Sequence, residues 1–165
     1  MHTNIQAKLK QNYFEFFNLP LEYEINLIKL KKSFLAAQTQ YHPDKLLDYK
    51  LLANQLSAYT NEAFNTLKNP AQRAIYWCKL HNINIKIQID IEILEQTIQW
   101  HEELEQQEKN HISQNILSKA KQTQNEYYKK FADLAKIDKY NQELGKYAQT
   151  LLMIDRFIKN IDDKI

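Results

Sequence analysis

A single glycine, Gly145, and three prolines are all the backbone punctuation in a chain of 165 residues. Glycine and proline let a backbone turn tightly or stop a helix, and hairpins between strands need such residues at set places. A chain nearly without them, and rich in Lys, Glu, Gln, Leu and Ala, is predicted to be all-α. The same scarcity excludes a Gly-rich phosphate loop and a Gly-rich flexible segment.

Within this helical background, Leu27, Leu30, Phe34, Ala37 and Tyr41 recur at steps of three and four, and Leu52, Leu56, Tyr59, Ala63 and Leu67 repeat the pattern. Each series is one apolar face of a helix. The first helix must end near Pro43, because the residue before a proline avoids the helical region. Two antiparallel helices with facing apolar stripes form an αα-hairpin, and its tip carries His42-Pro43-Asp44. The spacing predicts a short helix from Asn12 to Phe17 and hairpin helices over about 24–41 and 49–68. Asn69-Pro70 breaks the second of these, and a shorter helix follows over 72–80.

Residues 82–90 alternate apolar and polar as a strand does. A lone strand in a helical chain has nothing to pair with its backbone groups, so this stretch is read as an extended linker packing its isoleucines between two domains. Asp90 is placed to cap a helix reaching about residue 109, followed by helices over about 111–136 and 138–162. In the last, Tyr140, Leu144, Tyr147, Leu151, Ile154, Ile158 and Ile161 keep the alternating step of a bundle seam, and Ile112, Ile116, Ala120, Tyr127, Phe131 and Leu134 supply the facing stripe. The expected organisation is a hairpin domain over 12–80, a linker over 81–90 and an antiparallel three-helix bundle over 91–165, a length that allows a core in each half.

The formal charge of +2 arises from 22 basic and 20 acidic residues mixed along the chain. That mixture offers no stripe to a phosphate backbone and argues against nucleic acid as a partner. Cys78 is the only cysteine, so no intramolecular disulfide forms, and it reads as a small buried hydrophobe in a reducing compartment. No apolar run approaches the roughly 20 residues that span a membrane. The segment before Tyr13 is too short and polar for a signal peptide, and Lys8 and Lys10 do not make an Arg-rich transit peptide. A cytoplasmic bacterial protein is the simplest reading, with a processed organellar protein as the alternative. His2, His42, His81, His101 and His111 show no metal spacing with one another or with Cys78, and Glu102, Glu103 and Glu105 fall on more than one helix face, so neither metal nor cofactor is expected. Trp77 and Trp100 read as core packing.

The runs Tyr13-Phe14-Glu15-Phe16-Phe17, Leu30-Lys31-Lys32-Ser33-Phe34, Gln40-Tyr41-His42-Pro43-Asp44-Lys45, Asn61-Glu62-Ala63-Phe64-Asn65-Thr66-Leu67 and Gln72-Arg73-Ala74-Ile75-Tyr76 together resemble the J-domain. This is the co-chaperone module that stimulates DnaK-type ATPase chaperones. Lys79-Leu80-His81, Ile93-Leu94-Glu95-Gln96 and His101-Glu102-Glu103-Leu104 narrow the resemblance to HscB, the J-protein family dedicated to iron–sulfur cluster assembly, and it extends over nearly the whole chain from about Asn12. The resemblance implies that His42, Pro43 and Asp44 dock on the ATPase and promote its ATP hydrolysis, so that the chemistry belongs to the partner. Pro43 would fix the loop, His42 offers ring nitrogens, and Asp44 offers a carboxylate to a cationic group. It also implies a basic docking face at Lys29, Lys31 and Lys32, which otherwise are simply solvated lysines. Other positions often basic in J-domains are Leu35, Ala36, Thr39 and Gln40 here, so steering by charge should be weaker and docking more dependent on shape.

In the second half, Ile93, Trp100 and Leu104 share a helix face that should enter the core. Leu94, Ile98, His101 and Glu102 form a stripe roughly 100° away, and Met153 and Phe157 lie off the seam of the last helix. These stripes either widen the core or form a partner patch. The resemblance implies a patch that holds the iron–sulfur scaffold, an IscU-like protein, through Leu94, Glu95, Ile98, Gln99, His101, Glu102 and Met153. Glu95 and Met153 replace a more apolar and an aromatic residue of the family pattern, which moves weight toward Leu94, Ile98 and Phe157. The expectation is a non-enzymatic co-chaperone delivering the scaffold to a DnaK/HscA-type ATPase. Its rivals are a J-protein with another client and a helical adaptor whose His-Pro-Asp is coincidental.

Overall fold

The computed structural model describes residues 6–42, 50–85, 89–106 and 110–162, except the side chains of Gln106 and of residues 110–113. Its described residues are helical or irregular, with no strand, as the all-α expectation requires. They divide into two compact units at Asn69 and Pro70.

In the first unit, α1 (Tyr13–Phe16) opens on a reciprocal cap. Asn12 Oδ1 accepts from the Glu15 amide at 3.0 Å, and Glu15 Oε2 accepts from the Asn12 amide at 3.2 Å. Helix α2 (Leu27–Gln40) is capped by Asn26, whose side chain accepts from the amides of Ile28 and Lys29. Helix α3 (Lys50–Lys68) packs on α2 as the apolar repeats predict: Leu30, Ala37 and Tyr41 are buried, as are Leu52, Leu56, Ala63 and Leu67. The Phe34 and Phe64 rings stack 4.0 Å apart between these helices. Leu27, expected on the same face, is exposed because α2 begins with it, at the very end of the stripe. The short α1 is fastened to α3 by Tyr13, whose hydroxyl donates to Glu62 at 2.7 Å, and by Tyr59, whose hydroxyl donates to the Gln11 carbonyl.

The second unit holds α4 (Pro70–Leu80), α5 (Ile91–Gln106), α6 (Asn110–Ile137) and α7 (Glu143–Asp162). The three expected bundle helices are present, and α4 joins them by packing on α7. The sequence reading places α4 with the hairpin domain; by contacts it groups with the helices that follow it, and Ala71, Ala74, Trp77 and Cys78 are buried on its inner face. Helix α7 meets α4, α5 and α6, so it is buried on more than one stripe. Leu144, Leu151, Ile154, Ile158 and Ile161 form the expected seam, and Gly145, Ala148, Thr150, Asp155 and Phe157 are buried beside it. Ile116, Ala120, Tyr127 and Phe131 of α6 are buried as expected. Tyr140 is not part of the seam: α7 starts three residues later, leaving its ring exposed and edge-on to His81 at 5.7 Å.

The stretch after α4 forms no strand in its described part and lies along α7. Ile83 is buried, the Asn84 amide donates to Gln142 Oε1 at 3.2 Å, Gln149 Nε2 donates to the Ile85 carbonyl, and the Asp90 amide donates to Thr150 Oγ1 at 3.2 Å. These bonds pair the backbone groups of the strap with side chains of α7 and its leading turn, and Ile83 packs against α7 beside Gly145. The approach is close enough that a Cβ on Gly145 would sit 2.2 Å from the Asn84 carbonyl oxygen. The single glycine of the chain stands where the strap crosses the helix.

Candidate docking sites

At the end of α2, Tyr41 is buried, its amide donates to the Ala37 carbonyl at 2.9 Å, and its ring centroid lies 6.0 Å from that of Phe16. Burial also pushes its hydroxyl pKa up. With the helix end held in this way, the next side chain, His42, is exposed to solvent. Pro43 and Asp44 lie outside the described residues, so His42 alone of the tripeptide has a described position. Lys29, Lys31 and Lys32 are exposed on α2. Next to them, His42 lines a groove with Leu35, Gln38 and Thr39 of α2 and Ser57 of α3. The sequence shows the two legs of the hairpin but not this groove between them.

On α5, the two stripes separate as expected. Trp100 is buried, while Ile93 and Leu104 are half-buried. Leu94 is 40% and Ile98 50% exposed, and Glu95, Gln99, His101 and Glu102 are exposed around them. The stripe of Leu94 and Ile98 is therefore surface, not a widened core. Phe157, assigned to this patch from the sequence, is buried: its ring lies 5.5 Å from that of Trp100 and edge-on to that of His101 at 4.8 Å. It supports the patch from beneath, because α7 is packed on several sides and Phe157 lies on the side that faces α5. Met153 is half-buried and lines a groove between α5 and α7 with Thr97, His101, Leu152, Arg156 and Asn160. The structure thus brings His101 and Met153 together. Arg156 and Asn160 follow Met153 by three and seven residues and so share its side of α7, a signal available once α5 is known to cover that face.

Among the described residues, no three or more His, Cys, Asp or Glu side chains are gathered as a metal ion requires, and no helix is long and apolar enough to cross a membrane. What both surfaces present is recognition chemistry: exposed apolar side chains rimmed by polar ones.

A hairpin ending in an exposed histidine, followed by a separate helical unit with an apolar surface stripe, is the arrangement expected of a J-domain co-chaperone. The co-chaperone protein HscB homolog of Haemophilus ducreyi is 31% identical over 160 residues, covering 92% of this chain and 91% of that protein. The chaperone HscB from Vibrio cholerae matches in structure with a TM-score of 0.81 at 25% identity, over 93% of this chain and 97% of that one. Human co-chaperone protein HscB matches with a TM-score of 0.83 at 22% identity, over 93% and 82% of the two chains, a likeness of fold. No family model matches the chain. On its likeness to the Haemophilus protein over nearly the full length of both, the chain belongs to the HscB co-chaperone family.

Proposed function

We propose that this protein binds an IscU-like iron–sulfur scaffold on its second unit and delivers it to a DnaK/HscA-type ATPase chaperone, whose ATP hydrolysis it stimulates through the His42-Pro43-Asp44 loop. The observation that carries the reading is the exposure of His42 directly after the buried anchor Tyr41, in a chain of the HscB family. Lys29, Lys31 and Lys32 extend the ATPase-facing surface along α2. Leu94, Glu95, Ile98, Gln99, His101, Glu102 and Met153 form the scaffold-facing surface, with Leu94 and Ile98 as its apolar centre. Residues 12–80 supply the J-domain function and residues 91–165 the scaffold-binding function, in the cytoplasm of a bacterium. Carrying both surfaces on one chain raises the effective concentration of client at the chaperone.

The test is steady-state ATP turnover by the DnaK/HscA-type chaperone with this protein, with the scaffold, and with both. Stimulation by both together beyond the sum of the two alone is the expected result. Stimulation by this protein with no additional effect of the scaffold would assign it another client, and no stimulation at all would make it an adaptor unrelated to the ATPase.

A further inference from the structure

Helix α2 presents apolar side chains where a surface designed for charge alone would not. Ile28 is 82% and Leu35 51% exposed, and seven residues apart they lie two turns from one another on one face. Lys31 and Lys32 stand between them, exposed on the same stretch. Leu35 also lines the groove that His42 lines, together with Gln38, Thr39 and Ser57. A protein that enters this groove to reach His42 also meets Leu35, because the two side chains border a single depression.

We propose that Leu35 is an anchor and specificity determinant of ATPase docking, seated against an apolar side chain of the chaperone, while Lys31 and Lys32 act mainly on the rate of encounter. The inference rests on the proposed J-domain function. The physical division is that exposed charges steer association and are screened by salt, whereas an apolar contact desolvated only in the complex slows dissociation.

The experiment measures association and dissociation rates of the DnaK/HscA-type chaperone with this protein at low and high salt, alongside ATPase stimulation. Leu35→Ser is expected to speed dissociation about five- to tenfold with little change in association. Lys31→Glu with Lys32→Glu is expected to slow association and flatten its salt dependence. Leu35→Arg, which restores a cation to the groove, is expected to dissociate faster than the unaltered protein; tighter docking by this variant would overturn the inference. Because Leu35 is half exposed, an unchanged thermal midpoint is expected for both variants at this position. His42→Gln separates the two levels of the argument. If it abolishes stimulation while Leu35→Ser dissociates like the unaltered protein, the anchor is overturned and the J-domain function stands. If His42→Gln stimulates normally, the J-domain function itself falls and the anchor falls with it.

Discussion

The carboxylate of Asp90 lies 3.0 Å from the Nζ of Lys146, which ties the residue before α5 to the first turn of α7. The Tyr127 hydroxyl of α6 and the Glu92 amide of α5 also stabilise this carboxylate, so one side chain at the start of α5 is coupled to both other bundle helices. The Tyr127 hydrogen bond, with those of Lys146 and Glu92 and the Lys146 charge, holds the Asp90 carboxyl below the usual aspartate range despite its partial burial. A carboxylate with a lowered folded-state pKa contributes stability that is complete above its unfolded value of about 4 and is lost as pH falls through the lower folded value. Asp90→Asn keeps a capping oxygen but removes the charge that Lys146 pairs with, and is expected to cost up to about 1 kcal/mol at neutral pH and to flatten the decline of the thermal midpoint below about pH 4. An acid decline as steep as that of the unaltered protein would assign it to other carboxylates.

His42→Gln should leave the thermal midpoint within about 1 °C, since an exposed side chain at a helix end contributes little to stability, and should abolish ATPase stimulation. Thermal unfolding followed by circular dichroism, together with the turnover assay, checks both halves.

Leu94→Ala combined with Ile98→Ala should weaken scaffold binding by at least tenfold, about 1.4 kcal/mol, with little loss of stability, because exposed side chains leave no cavity. Phe157→Ala should behave in the opposite way. Removing a buried ring that packs on Trp100 is expected to cost about 3–5 kcal/mol, and urea unfolding of the two variants side by side would show the contrast.

Cys78 is fully buried, and its thiol is pushed up to about 12 by that burial. A thiol reagent at pH 8 should leave the native protein unlabelled for as long as it stays folded and label one equivalent rapidly in denaturant. Fast labelling of the native protein would place Cys78 at the surface.

The hairpin was legible in the sequence because each of its helices buries one face. A single stripe of Leu30, Ala37 and Tyr41, or of Leu52, Leu56, Ala63 and Leu67, is what periodicity detects. The role of α7 was only half legible for the converse reason. Its seam from Leu144 to Ile161 was plain, but a helix packed by several neighbours carries further buried positions, and nothing local in the sequence marks Phe157 as interior or assigns α4 to the same unit. The cap at Asp90 could be read from its place before a helical repeat. Its partners Tyr127 and Lys146 depend on non-local packing, and no spacing rule links them to it. The surface stripe of Leu94 and Ile98 was legible because α5 keeps Trp100 on a separate face, whereas the groove beside His42 arises from the facing of two helices and has no sequence signature.

The packing of α4 on α7 bears on how the chain is made. During synthesis the apolar face of Ala71, Ala74, Trp77 and Cys78 emerges well before residues 143–162, and at roughly 5–20 residues per second it waits several seconds for the helix that covers it. The first unit ends at Asn69 and is free to fold in that interval. The second unit closes only when its most distant element arrives, so it is the later to mature on the ribosome and the more exposed to capture by chaperones or proteases while it waits.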